Sequence, residues 1–361
     1  MTSSSEFVSQ GHPDRTCDSI ASYILDEYLR RDPSTRFALE VQMKNTVCNL
    51  AGEVTSKWHP SEDETAELVR EAIRKVGYTA EYASKWPDMA TLNAEQVKVN
   101  NFIGQQSPNI AQGVDREGWG DQGCFMGMAT NEKEYGYMPR DRYFANAIGT
   151  ILYKAALSGE APIGLDIKVL VSIKDEHVIE QVVVAAPMTD MNASDARGFI
   201  KGVVDSITES HAYKVNELIV NGTGAYVIHS TIGDAGVVGR KLAVDFYGLN
   251  CPIGGGTTWG KDGTKADVTL NIAARYNAML QTIHHPERPA TFCKISCCIG
   301  KPDCLVSFFE NNRNEPYHEN KVKLFPSELK QKFGLDGSVP GMFWSMCEDG
   351  LFHYVDQIAL T

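Results

Sequence analysis

One pattern constrains this chain more than any other: an alternating strand, a turn, a second apolar run and then a helical stretch, returning three times. In the first round Phe37, Leu39, Val41 and Met43 alternate with other residues, and Val47 to Thr55 follows after Asn45. Leu68, Val69, Ala72, Ile73 and Val76 then recur at helical spacing from about Glu62, with Gly77 placed as a C-cap. In the second round Ile167, Val169, Val171 and Ile173 alternate, Asp175-Glu176 marks the turn and Val178 to Ala186 runs apolar. Asn192 or Ser194 can then cap a helix through Phe199, Val203, Val204 and Ile207. The third round reads Thr291 to Ile299, a turn at Lys301-Pro302-Asp303, Leu305 to Phe309, and a shorter helix from about Ser327 to Phe333. The rounds are spaced by roughly 125 to 130 residues and share negligible sequence identity, so the repeat is one of pattern alone.

This predicts an α+β chain built as three similar sheet-plus-helix domains, each an antiparallel sheet with helices on one face. The other face of each sheet needs cover, which points to a dimer. Two further helices are expected, over Cys17 to Leu29 and about Asp262 to Ile283. Along the chain the division falls at 1–100, a connecting segment at 101–120, 121–231 and 232–361.

Composition narrows the function classes. The 361 residues are 43% hydrophobic and 22% charged, which excludes wholesale disorder, a collagen-like repeat and a coiled-coil rod. With 34 basic and 46 acidic residues the net charge is −12, a surface that repels phosphate backbones and excludes nucleic acid as the main partner. An anionic substrate can bind only where basic residues gather locally. No apolar run approaches the roughly 20 residues of a membrane helix. The start, Met1 to Glu6, has neither the basic region nor the apolar core of a signal peptide, so a cytoplasmic location without membrane attachment is expected. The nine cysteines read as reduced thiols. Cys293, Cys297, Cys298 and Cys304 match no paired zinc spacing and are read as buried thiols in an apolar strand.

Four segments carry a chemical complexion. Gly11-His12-Pro13-Asp14-Arg15 stands just before a helix, whose N-terminus favours anions. Taken alone, the segment is better explained with Asp14 as a helix cap and His12 as a surface residue. Gly118 to Gly123 places three glycines in six residues at the end of a long polar stretch from about Asn100, more in keeping with a lid than with filler. Gly254 to Asp262 is a glycine loop followed by Lys265 and Asp267. It satisfies G-x-x-x-x-G-K, yet Asp262 stands where a P-loop needs Ser or Thr, and Pro252 spoils the preceding strand. Asp166, Lys168, Asp234, Arg240 and Lys241 flank strands, and cations near glycine turns suit a polyphosphate.

Together these residues resemble the S-adenosylmethionine synthetase (methionine adenosyltransferase) family. Gly11 to Arg15 resembles its G-H-P-D-K motif, Gly118 to Gly123 its G-x-G-D-Q-G, and Gly254 to Asp262 its G-G-G-x-x-x-G-K-D. Gln106-Ser107-Pro108, Gln112 to Asp115, Ala129 to Glu132 and Gly239-Arg240-Lys241 add flanking matches, collinear from Glu6 to about Gly300. The resemblance implies three α+β domains about a pseudo-threefold axis, and dimers or tetramers with active sites shared across the dimer interface. It implies a reaction in which methionine sulfur attacks C5′ of ATP and expels triphosphate, which is then hydrolysed to pyrophosphate and phosphate, assisted by two Mg²⁺ and one K⁺.

It also implies roles. His12 would assist cleavage at C5′–O5′; Asp14 and Asp267 would hold Mg²⁺, and Glu40 K⁺. Lys168, Arg240, Lys241 and Lys261 would surround the phosphates, with Lys265 at the shared site. Glu53, Gln106 and Asp234 would orient methionine's amino acid end, and Ile299 its apolar side. Asp121, Asp166, Tyr226 and Thr257 would lie near nucleotide or substrate, and about Gln106 to Gly118 would form the gating loop. Departures from the family pattern are Arg15 for lysine, a shortened loop between Arg116 and Gly120, Gln105, Asn109, Asn146, and the bulky Trp119 and Trp259, expected to reshape the pocket.

Overall fold

The computed structural model describes residues 2–105, 117–310 and 315–361, whose strands form three four-stranded sheets. In the first, the hairpin β2 (Arg36–Lys44) and β3 (Val47–Thr55) is followed by helix α2 (Glu62–Val76), after which β4 (Lys98–Gly104) returns parallel to β3. In the second, β6 (Lys168–Asp175) and β7 (Val178–Ala185) are followed by α5 (Ala193–Ser210), and β8 (Lys214–Val220) returns parallel to β7. A parallel return needs a crossover, and the helix supplies it, so these two sheets are mixed rather than purely antiparallel as expected. The third keeps the antiparallel plan: β10 (Ala290–Cys297), β11 (Asp303–Glu310) and β12 (His318–Lys323) run on directly, and the short helix α9 (Pro326–Lys332) follows.

Each sheet takes its fourth strand from elsewhere in the chain. β9 (Gly236–Val237) lies beside β2, β1 (Ser3–Val8) beside β6, and β5 (Gly123–Thr130) beside β10, antiparallel in every case. The sheets therefore exchange strands across the divisions drawn along the sequence.

The alternation seen in sequence decides which face is core. Phe37, Leu39, Val41 and Met43 of β2 and Val169, Val171 and Ile173 of β6 point inward and are buried. Against the first sheet lies α1 (Pro13–Arg31), buried nearly all round through Cys17, Ile20, Ala21 and Ile24. It begins four residues earlier than expected because Pro13 at the first turn has φ preset and no N–H to satisfy. α4 (Arg140–Ser158) packs on β1 and β6. Buried Asp141 and Arg142 interrupt its apolar stripe, which hides it in the sequence. α8 (Ala266–His284) covers β5 and β10 so closely that a Cβ on Gly127 would fall 2.1 Å from the backbone of Ala274. It starts later than expected because 262–265 form a turn in which Asp262 accepts from Phe37 N at 2.7 Å and Thr264 N at 2.8 Å.

The remaining short helices are α3 (Ala80–Lys85), α6 (Ser230–Gly233), α7 (Leu242–Asp245), α10 (Met342–Asp349) and α11 (His353–Leu360). Fully buried Arg275 of α8 pairs with Asp356 of α11 at 2.8 and 3.0 Å and donates to the carbonyls of Met128, Gly136 and Tyr137, which moors the C-terminal helix. Among the described residues no helix is long and apolar enough to cross a membrane. Of the clustered thiols, Cys293 and Cys304 are buried, whereas Cys297 is half-buried and Cys298 is exposed past the end of β10, a correction to the uniform burial expected.

Candidate active site

The chain leaves β1 and turns at Gly11, where any Cβ would lie 2.3 Å from Leu165 O. His12 follows in extended conformation and is itself the N-cap of α1, its Nδ1 accepting from Asp14 N at 3.2 Å. Asp14 is thus not the cap. With Nδ1 accepting, the neutral ring carries its proton on Nε2. Burial, then the charge of Lys241, lowers the His12 pKa to about 3, with Arg15 and Lys168 acting in the same direction and Asp14 opposing. At neutral pH His12 is therefore an uncharged Nε2–H donor.

Asp14 is freed for other work. Its Oδ1 accepts from Val237 N at 2.9 Å and its Oδ2 from Lys241 Nζ at 2.5 Å, with Arg240 Nε 3.6 Å from Oδ1. Burial alone would raise this carboxyl; the bonds from Lys241 and Val237 more than offset it and hold Asp14 below its ordinary value. Gly239 N donates to Asp18 Oδ1 at 2.8 Å, which locks the 239–241 segment onto α1. Lys168, at the start of β6, reaches Glu6 Oε1 at 3.1 Å.

The glycine loop runs from the third sheet to the first. Gly254 passes within 2.3 Å, measured from an ideal Cβ, of Cys124 O on β5. At the other end Gly260 has φ +72 and accepts from Leu39 N at 2.8 Å, after which Lys261 pairs antiparallel with Ala38. Ala38 is also the register partner of Glu53, so Lys261, Ala38 and Glu53 form one row across the outer face of the sheet, and Glu40 stands on that same face. Lys261 Nζ meets Asp267 Oδ2 at 2.5 Å, while Asp267 Oδ1 accepts from Gly256 N at 2.7 Å. Thr257 lies against Gly239, so the loop touches the segment carrying Arg240 and Lys241. Lys265 is the N-cap of α8, its carbonyl accepting from Val268 and Thr269 N.

A neighbouring group surrounds Asp166. Its Oδ2 accepts from Ser230 N at 2.9 Å and its carbonyl from Tyr226 Oη at 2.6 Å. Burial raises the Asp166 carboxyl to about 7, opposed by the Ser230 N–H and helped by nearby Asp234. Asp121 and Ile299 are placed by the third sheet: Cys297 Sγ lies 3.5 Å from Asp121 O, and Ile299, 53% exposed, pairs with Trp119. Gln106 and residues 106–116 of the gating loop expected from Gln106 to Gly118 lie outside the described residues.

Trp119 and Trp259 are both almost fully buried, and Trp259 lines a small cavity of about 60 Å³. Arg15 likewise spends its charge internally, on Asp18 at 3.0 Å and on Asp245. Asn146 accepts from Arg142. Asp18 and Asp245 escaped sequence reasoning because each sits in a short polar–apolar stretch without glycine or motif spacing to mark it.

Among the described residues no group of three or more His, Cys, Asp or Glu gathers as a metal cage. Mg²⁺, however, is commonly held by one or two carboxylates with substrate phosphate and water completing the shell. Asp14 and Asp267, each beside a lysine, fit that second arrangement.

Three repeated sheets thus set cations and carboxylates around a helix end and a glycine loop, an arrangement in keeping with the three α+β domains that the resemblance implies. The family model described as S-adenosylmethionine synthetase, N-terminal domain, matches residues 1–108, and that of the C-terminal domain matches 228–335. The chain is 37% identical over 293 residues to an S-adenosylmethionine synthase of Wolinella succinogenes, covering 76% of this chain and 71% of that one. It is 36% identical over 294 residues to one of Helicobacter pylori strain Shi470, with the same coverage. A solved structure, described as an unusual S-adenosylmethionine synthetase from Campylobacter jejuni, superposes with TM-score 0.85 at 28% identity, covering 99% of both chains. The chain belongs to the S-adenosylmethionine synthetase family.

Proposed function

We propose that this chain forms S-adenosylmethionine from ATP and L-methionine, releasing phosphate and pyrophosphate. The observation that carries this reading is the convergence of His12, Asp14 and Lys241 with the Lys261–Asp267 pair through the Thr257–Gly239 contact. A thioether nucleophile has no proton to lose, so the site needs no base at sulfur. The work lies at the leaving group, where negative charge develops on a triphosphate oxygen.

His12 suits that task as a neutral donor, offering Nε2–H to the oxygen leaving C5′ without having to ionise. Lys168, Arg240, Lys241 and Lys261 surround the phosphate chain, with Lys265 at the site's margin. Asp121, Asp166, Tyr226, Asp234 and Thr257 contact the nucleotide; Glu53, Gln106, Asp234 and Ile299 receive methionine. Asp14 and Asp267 would hold Mg²⁺, which when bound supplies further neutralisation of the triphosphate. Glu40, exposed on the outer sheet face, would hold K⁺ through its carboxylate. Water then cleaves a P–O bond of the triphosphate, giving pyrophosphate and phosphate, with Lys168, Arg240, Lys241 and Lys261 neutralising the charge.

The working form is a homodimer with shared sites. In support, the outer face of the first sheet bears Glu40 and Glu53 beside Phe102, which is 68% exposed. The test is a mass-spectrometric assay of the purified chain with ATP, methionine, Mg²⁺ and K⁺, His12→Asn as control and chelator added in a parallel arm. Methionine-dependent S-adenosylmethionine that disappears in the control and the chelated arm upholds the reading; ATP breakdown without that product overturns it.

A further inference from the structure

A buried charged cluster joins the segments that carry the phosphate-facing residues. Asp245, 5% exposed, ends α7 and accepts from Arg15 on one carboxylate oxygen and from Trp259 Nε1 on the other at 2.7 Å. Its own N–H donates to Lys241 O at 2.9 Å. Arg15 directly follows Asp14, and Trp259 stands two residues before Lys261. One carboxylate thus joins the three segments that carry His12 and Asp14, Lys241, and Lys261. The Arg15 guanidinium lies 5.3 Å from the Trp259 ring centroid, so the donors also pack on each other.

The adjoining cavity, about 60 Å³, is far too small for a substrate, so the cluster acts on the site without touching what it binds. Nor is stability a sufficient reason for it, since a buried ion pair contributes little that apolar packing would not. What directional bonds to both oxygens of one carboxylate add is fixed geometry. Arg15 and Trp259 are two of the positions where the chain departs from the family's pattern, and they meet at this one acceptor.

Resting on the proposed reaction, we propose that Asp245 is a positioning residue that sets the His12–Asp14 helix end against the Lys261 loop through Arg15 and Trp259. The test uses the full chain. Trp259→Phe removes one donor and keeps an aromatic ring, smaller than the indole. It is expected to lower kcat about tenfold or more, since misplacement of order 1 Å at a reacting centre is worth about a hundredfold, while the methionine KM changes less than about twofold. Arg15→Lys lowers kcat as well. The double variant loses less than the product of the two, because both act through one acceptor. Asp245→Asn gives the largest loss; should it fail to fold, the Arg15–Trp259 cycle carries the test by itself. An unchanged kcat in Trp259→Phe, a fall in thermal midpoint alone, or losses that multiply independently would each overturn the proposal. Should the parent chain make no S-adenosylmethionine, the reaction fails separately, and the Kd for Mg²⁺–tripolyphosphate across the same variants becomes the readout. Weakening of about tenfold upholds the positioning role, and equal affinity overturns it.

Discussion

Lys241 closes onto Asp14 at 2.5 Å across 227 positions of chain. Lys261 and Asp267 repeat the relationship on the other side of the site at the same distance. The free protein therefore holds its cations and carboxylates as mutually satisfied pairs. On binding a phosphate chain, Lys241 and Lys261 would turn to phosphate oxygen, and Asp14 and Asp267 would be the residues that hold its metal. This costs less than exposing an isolated buried charge. Lys241→Met should leave Asp14 uncompensated, weaken Mg²⁺–tripolyphosphate binding and raise the apparent carboxyl pKa of the site, all readable by calorimetric titration at two pH values.

Lys261→Ala should cripple turnover while leaving the fold intact. The side chain is 20% exposed and its ammonium faces Asp267 rather than the core. Loss of one preorganised cation in such a site lowers kcat by about 10²–10³. The thermal midpoint should move by no more than a few degrees, and activity at the parent level would show that the glycine loop is misplaced in the scheme.

Gly260→Ala tests the loop's backbone instead of its charge. The residue has φ +72, and an added Cβ would sit 2.2 Å from Leu39 O, the neighbour through which the loop joins β2. Left-handed strain in a non-glycine residue costs about 1–3 kcal/mol, before any clash is counted. The expected result is a lowered urea midpoint together with a loss of turnover at least as large as that of Lys261→Ala, because the row of Lys261, Ala38 and Glu53 is broken.

Asp26 offers a pH test away from the site. Both its oxygens accept from the N-terminus of α10, Phe343 N at 3.1 Å and Trp344 N at 2.8 Å. Burial nevertheless dominates and raises its pKa from 3.8 to about 7, with Glu27 adding to the rise and the two N–H groups and Lys75 opposing it. A carboxyl raised on folding binds its proton more tightly in the folded chain. Its contribution is complete below about 4 and is lost as pH climbs through about 7. The parent should therefore lose stability relative to Asp26→Asn as pH rises across that window, and parallel denaturation curves for the two proteins would exclude it.

Much of this architecture was legible because period-two alternation of large apolar residues survives any tertiary context. The β2–β3 hairpin and α2 with its Gly77 cap follow the sequence pattern almost residue for residue. What stayed hidden has physical causes. β9 is two residues long and is a strand only because Gln42 and Met43 receive it. β12 is exposed along its whole length, so no alternation marks it. α4 carries buried Arg142 and Asp141 where an apolar stripe would be sought. At the site, glycine spacing exposed the loops, and their cations followed. Asp18 and Asp245 gave no signal, because a carboxylate held by partners remote in sequence looks like any surface acid.

The exchange of edge strands has a consequence for how such a chain is made. Ser3 pairs with Ile173, and Gln42 with Val237. A nascent chain emerges N-terminus first, so β1 waits for β6 and the edge of β2 stays open until β9 has been synthesised. Asp14 waits equally long for Val237 and Lys241. Contacts of such sequence separation form slowly and leave strand edges open meanwhile. The second sheet has all its strands once Val220 is made, but the first waits for residue 237, and a chain released before then would carry the open edge of β2 into the cell.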